Sequence, residues 1–244
     1  IGLIFLYLVM RINFVTALGI ICIFLTLTNC EKKPKTLFSL KDPDDTGIHF
    51  NNLVTETDSF NILSYEYIYN GGGVGIADFN NDQKPDIFFT GNQVSNKLYL
   101  NQGNFKFKDI SETANINVGA RWNSGVAVGD INNDGWMDIY VCATTHPEPE
   151  NRRNMLFVNQ GADGNGQPVF KEMAAEYKID YDGNSITAAF FDYDRDGDLD
   201  LYILENQKLT NAPTNYRAKI ADGSAANNDR LFRNEGNGTF SDVT

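Results

Sequence analysis

Three stretches of nine residues carry oxygen-bearing side chains at positions 1, 3, 5 and 9. They are Asp78, Asn80, Asp82 and Asp86; Asp130, Asn132, Asp134 and Asp138; and Asp192, Asp194, Asp196 and Asp200. Alternating carboxylates and amides in a tight loop suit Ca²⁺, which takes hard oxygen ligands in flexible geometry. A backbone carbonyl at position 7, from Lys84, Trp136 and Asp198, would add a further ligand, leaving the Asp198 side chain toward solvent. Gly135 and Gly197 supply a sharp turn at position 6, where the first loop has Gln83 instead. An EF-hand shares this opening but needs a bidentate Glu at position 12. Here that position is Phe89, Val141 or Ile203, so the EF-hand is excluded. The competing reading is a set of Asn/Asp hairpin turns without metal. Against it, five aspartates within residues 192–200 repel one another unless a cation sits among them. The expectation is up to three Ca²⁺, one per loop.

The elements that must hold these loops repeat with them. Each nonamer lies between two apolar runs. It is followed by a third run ending in Asn-x-Gly, at Asn101–Gly103, Asn159–Gly161 and Asn234–Gly236. Each unit closes on an aromatic strand, at Phe107, Phe170 and Phe240. Four short β-type runs separated by Gly/Asn/Asp turns predict a four-stranded antiparallel sheet. The loops recur after 52 and then 62 residues, and units of this size stack radially into a β-propeller. The predicted fold is therefore all-β: about three propeller blades over residues 47–244, preceded by a signal-peptide helix. The segment Phe50–Glu56 resembles a closing strand without its own acidic loop, as expected if the N-terminus completes a last blade. Because propellers need about four to eight blades, the chain reads as a fragment of a longer protein.

Composition narrows the function classes. The 244 residues carry 20 Lys+Arg against 32 Asp+Glu, a net charge of −12, and the acids are 22 Asp to 10 Glu. That balance argues against nucleic acid or an anionic membrane surface as a partner. The run Gly71–Gly75 leads into an acidic loop that would repel a pyrophosphate, so it reads as the start of a strand. The two histidines, His49 and His146, show no pairing with a nucleophile. Tyr65, Tyr67 and Tyr69 alternate as in a strand; their faces could stack on sugars, although packing between blades is the favoured role.

Residues 1–29 read as a secretory signal, with 1–9 as upstream sequence, Met10-Arg11 as the charged region and Phe14–Thr28 as the apolar core. Leu27-Thr28-Asn29-Cys30 resembles a bacterial lipobox, which makes Cys30 the lipidated residue and 30–46 a linker; a transmembrane anchor is the alternative. With Cys22 inside the signal and Cys30 lipidated, Cys142 stands alone, so no disulfide framework is possible. Its apolar surroundings predict a buried packing residue.

The repeated Asp-x-[Asn/Asp]-x-Asp-Gly-x-x-Asp loops between strands, with Asn-x-Gly turns, resemble FG-GAP repeats, the calcium-loop blades of integrin α-subunit propellers. Gly71–Asp78, Thr90–Asn101 and Phe107–Glu112 are similar to VCBS/FG-GAP-like repeat lipoproteins of Bacteroidetes-type bacteria, in which an ASPIC/UnbV-type domain often follows the propeller. The resemblance implies an exported, lipid-anchored protein at the outer membrane or cell surface, or facing the periplasm. For activity the resemblance implies little; the expectation is a non-catalytic binding or adhesion module for a protein or glycan ligand, with the membrane met only through the lipid. The alternatives are a non-catalytic part of a larger polysaccharide-active enzyme, or a scaffold for a missing C-terminal domain. Ligand surfaces are expected on the insertions 142–155 and 205–229.

Overall fold

The computed structural model describes residues 36–65, 67–117, 119, 121–206, 225 and 228–244. The signal peptide, Cys30 and most of the 205–229 insertion lie outside the described residues. Three four-stranded antiparallel sheets follow one another, each in chain order. Blade 1 comprises β1 (Val74–Ala77), β2 (Asp86–Phe89), β3 (Lys97–Asn101) and β4 (Phe107–Asp109). Blade 2 comprises β5 (Asn123–Gly129), β6 (Asp138–Ala143), β7 (Met155–Ala162) and β8 (Pro168–Glu172). Blade 3 comprises β9 (Ser185–Phe191), β10 (Asp200–Glu205), β11 (Arg230–Asn234) and β12 (Phe240–Asp242). The first strands neighbour one another, β1 beside β5 and β5 beside β9, as in part of a propeller. The sheets form no closed barrel.

Strand register places the acidic nonamers. Ala77 pairs with Asp86, Gly129 with Asp138 and Phe191 with Asp200. Each nonamer is thus the first hairpin connection of its blade, and its ninth residue begins the second strand.

Packing explains why the middle blade is so apolar. All six residues of β6 are buried. Side chains alternate across a strand, so Ile139 and Val141 enter the core shared with blade 1, while Tyr140 and Cys142 enter the core shared with blade 3. Cys142 is a packing residue, as expected, and burial pushes its thiol well up. The second residue of each loop follows the same logic. Phe79 plugs the core between blades 1 and 2, and Ile131 the core between blades 2 and 3.

Two sequence expectations are corrected. Phe50–Glu56 forms no strand. Among the described residues no unpaired outer-strand position receives it, and it lies instead against blade 1. Phe50 stacks on Phe89 with centroids 4.9 Å apart, and Asn52 Nδ2 donates to Asn92 Oδ1 at 2.6 Å. The tyrosine run is turn rather than strand, with Ile68 buried. Its Tyr65 packs on Trp122 and Phe60. In the linker, Pro43–Thr46 forms a single helical turn, α1, capped by the Asp42 side chain accepting from Asp44 N.

Glycines let the inner strands approach. A Cβ on Gly125 would lie 2.6 Å from both Ile186 O and Thr187 Cα of blade 3, which is backbone that cannot swing away. Gly164, at the β7–β8 turn, has nothing within 4 Å of such a Cβ. Gly125→Ala is therefore expected to lower the unfolding free energy by about 1–3 kcal/mol. Gly164→Ala should stay within about 0.5 kcal/mol of the parent. Urea unfolding midpoints measure both.

Candidate metal centres

The three loops are built by one hydrogen-bonding scheme. The first Asp caps the amides of positions 5 and 6. Asp78 accepts from Asp82 N (3.0 Å) and Gln83 N (2.6 Å), and Asp130 from Asp134 N (3.0 Å) and Gly135 N (2.8 Å). In loop three Asp192 accepts from Asp196 N and Gly197 N, both at 3.2 Å, and from Arg195 N at 2.6 Å. The fifth residue caps position 7: Asp82 accepts from Lys84 N, Asp134 from Trp136 N and Asp196 from Asp198 N. These turns need left-handed backbone at positions 4 and 6. Asn81, Asn133 and Arg195 adopt φ of 57°, 56° and 65°. At position 6, Gly135 and Gly197 have φ of 87° and 98°, and Gln83 is held at 67° where its counterparts need no Cβ.

The ninth residue has another task. Asp86, Asp138 and Asp200 are fully buried, and each spends one carboxylate oxygen on its own loop and the other on the third strand. Asp86 accepts from Phe79 N (3.0 Å) and Asn101 N (2.8 Å). Asp138 accepts from Ile131 N and Asn159 N, and Asp200 from Tyr193 N and Asn234 N, at the same two distances of 3.0 and 2.8 Å. Burial pushes the Asp86 carboxyl up to about 6 and Asp138 up to about 7, although the amide donors pull the other way. The carboxylates at positions 5 and 1 add to the rise in both.

The Asn of Asn-x-Gly, which the sequence marks only as a turn residue, completes the scheme. Its Oδ1 accepts from the turn glycine, and its Nδ2 donates to the eighth loop residue. In blades 2 and 3 it also crosses to the preceding blade. Asn159 Nδ2 reaches Phe79 O at 2.9 Å, and Asn234 Nδ2 reaches Ile131 O at 3.0 Å. Loop tips meet as well: Asn81 Nδ2 donates to Gly135 O, and Asn133 Nδ2 to Asp198 Oδ1. Asp198 is thus half-buried and held by the neighbouring loop, contrary to the expectation of a solvent-facing side chain.

The fit to a cation differs between loops. In loop three, Asp192, Asp194 and Asp200 bring ligand oxygens within 4.8 Å of one another. Partial desolvation, then Asp196, Asp200 and Asp192, raise the Asp194 carboxyl above its ordinary value. In loop one, Asn80 Oδ1 is buried and has no hydrogen-bond partner among the described residues, although its Nδ2 donates to Gly166 O. Asp82 Oδ2 pairs there with Lys84 Nζ at 2.8 Å. Despite some desolvation, the Lys84 bonds hold the Asp82 carboxyl below its usual value. In loop two, Asn132 Nδ2 donates to Asp134 Oδ2, and the half-buried Trp136 lies against Gly161. Since a carboxylate offers about four lone-pair sites, the amide bonds leave capacity for a metal at positions 1, 5 and 9. The donor set fits Ca²⁺: oxygens throughout, with no nitrogen or sulfur ligand.

Residues 78–141 match the FG-GAP-like repeat. The match starts at the first loop Asp and runs one full period into β6. The chain is also similar to cartilage acidic protein 1 of Xenopus tropicalis, 27% identical over 135 residues, which is 55% of this chain and 20% of that protein. The Mus musculus protein of that name gives 27% over 133 residues, covering 54% of this chain and 19% of its own length. A T-cell immunomodulatory protein homolog of Plasmodium yoelii yoelii is 20% identical across 92% of this chain and 32% of its own. The chain therefore spans about a fifth to a third of the length of these curated relatives. Among the described residues, no helix is long and apolar enough to cross a membrane.

The shared scheme makes the Asn residues unequal. Asn159→Ala strands Phe79 O, Met137 O and Gly161 N. Asn101→Ala strands only Pro85 O and Gly103 N within its own blade. Asn159→Ala is expected to cost about 2–4 kcal/mol in chemical unfolding, and Asn101→Ala at least about 1 kcal/mol less.

Proposed function

We propose that the chain is a calcium-binding propeller segment of an exported, lipid-anchored protein, and that it serves as a binding or adhesion module rather than an enzyme. The observation that carries the metal reading is the convergence of Asp192, Asp194 and Asp200 oxygens in loop three. Asp196 and the Asp198 carbonyl complete that set; Asp130, Asn132, Asp134, Trp136 and Asp138 form the second, and Asp78, Asn80, Asp82, Lys84 and Asp86 the first. Bound Ca²⁺ would supply the positive charge that these buried and clustered carboxylates lack. The loop residues orient one another through the Asx-type turns, so little backbone ordering remains to oppose binding. Metal would then hold each hairpin loop, a stiffening role suited to a chain without a disulfide framework. The signal-like residues 1–29 and the lipobox-like Cys30 support export and anchoring, and a protein or glycan at the cell surface is the ligand class.

Trp136 makes the second loop readable. Tb³⁺ bound there should luminesce on Trp excitation, and added Ca²⁺ should displace it. Chelation should lower the melting temperature, by linkage. Folded protein that sensitises no Tb³⁺ and melts identically in EDTA and in Ca²⁺ would remove the metal from the proposal.

A further inference from the structure

The ends of the inner strands remote from the acidic loops open on a different chemistry. A cleft of about 310 Å³ is walled there by Phe60, Arg121, Trp122, His146 and Pro147. Trp122 meets Phe60 edge-on at 5.0 Å and Tyr65 at 5.6 Å. On its other side, with Tyr65 and Tyr67, it lines a second hollow of about 290 Å³. The walls are fixed. Arg152 Nη1 donates to His146 O and Pro147 O, each at 3.0 Å. Opposite them, the Gln93 side chain bonds both backbone groups of Thr55.

Most polar groups in the cleft are already used. Asn92 N donates to Asn52 Oδ1, Phe60 N to Thr57 O, Thr145 N to Asn184 Oδ1, and His146 N to Thr144 O. The Asn92 side chain is spent on Gly71 O, Asn123 O and Asn52. Two heads remain. Arg121 makes one long contact, 3.5 Å to Arg153 O, and has no ion-paired carboxylate among the described residues, in a chain of net charge −12. His146 accepts from Glu148 N through Nδ1, which leaves Nε2 without a partner among the described residues.

Building on the binding-module reading, we propose that this cleft binds an acidic carbohydrate of the uronic acid class. A sugar ring presents C–H faces to Trp122 and Phe60, as amphipathic aromatic surfaces favour. Its carboxylate meets the Arg121 guanidinium, whose planar fork matches that group. His146 Nε2 takes a ring hydroxyl. The volume sits at the small end of the roughly 300–1,000 Å³ seen for small-molecule sites. An acidic peptide would require backbone partners, and the cleft's backbone donors named above are satisfied internally.

Isothermal titration of calcium-loaded protein with a glucuronyl disaccharide tests this, beside the neutral glucosyl disaccharide and a glutamate-rich peptide. The charged sugar should bind at least about tenfold more tightly than the neutral one. Arg121→Gln should bring the two sugars level, and Trp122→Ala should weaken both by at least about tenfold. Should Trp122→Ala fail to fold, Arg121→Gln carries the test alone. Equal binding by parent and Arg121→Gln, preference for the peptide, or no heat from folded protein would each overturn the assignment. Melting in Ca²⁺ and in EDTA, run on the same samples without sugar, separates this outcome from failure of the metal reading.

Discussion

One buried aspartate per blade holds the architecture in place. Asp86, Asp138 and Asp200 each join the second residue of the acidic loop to the Asn-x-Gly asparagine of the third strand. That residue plugs an inter-blade core in loops one and two, and the Asn reaches the preceding blade in blades 2 and 3. Loop conformation, strand pairing and blade stacking thus pass through the same two oxygens. Burying such a group is costly unless its hydrogen bonds are met, and here both oxygens are met by backbone amides.

Around this anchor the loop tips form a second, more exposed tier. Their carboxylates shape the turn by capping amides, and the same side chains face one another closely enough to repel. Loop three carries this conflict furthest, since five aspartates share nine residues with only Arg195 among them. Lys84 relieves part of it in loop one through its ion pair with Asp82. On the proposed metal reading, a divalent cation would relieve it in all three and couple the folding of the tips to metal binding.

Much of this was legible in the residues. Spacing alone located the nonamers, the four-stranded period and the burial of Cys142, because side-chain alternation and turn chemistry are local. The second role of Asn159 and Asn234 was not, since nothing in Asn-x-Gly distinguishes an Asn that closes its own turn from one that also crosses between blades. The inner-strand glycine Gly125 likewise shows its purpose only beside Ile186 and Thr187. Phe50–Glu56 and Tyr65–Tyr69 misled for a common reason: a strand-like sequence forms a strand only where a neighbour offers backbone to pair with. A turn signal was present at Asn61 and Ser64. The Asn61 side chain accepts from Leu63 N and Ser64 N, while the Tyr65 ring turns to Trp122. The cleft at Trp122 joins residues from Phe60 to Pro147, more than one blade repeat apart, and could not be read from any one motif.

Amide hydrogen exchange in Ca²⁺ and in EDTA examines the two tiers most directly. The anchor amides of Phe79, Asn101, Ile131, Asn159, Tyr193 and Asn234 should remain protected in both conditions. The tip amides of Asp82, Gln83, Asp134, Gly135, Asp196 and Gly197 should lose protection when Ca²⁺ is removed. Tip amides that exchange at one rate with and without Ca²⁺, or anchor amides that exchange as fast as the tips, would contradict a buried carboxylate anchor carrying metal-dependent loops.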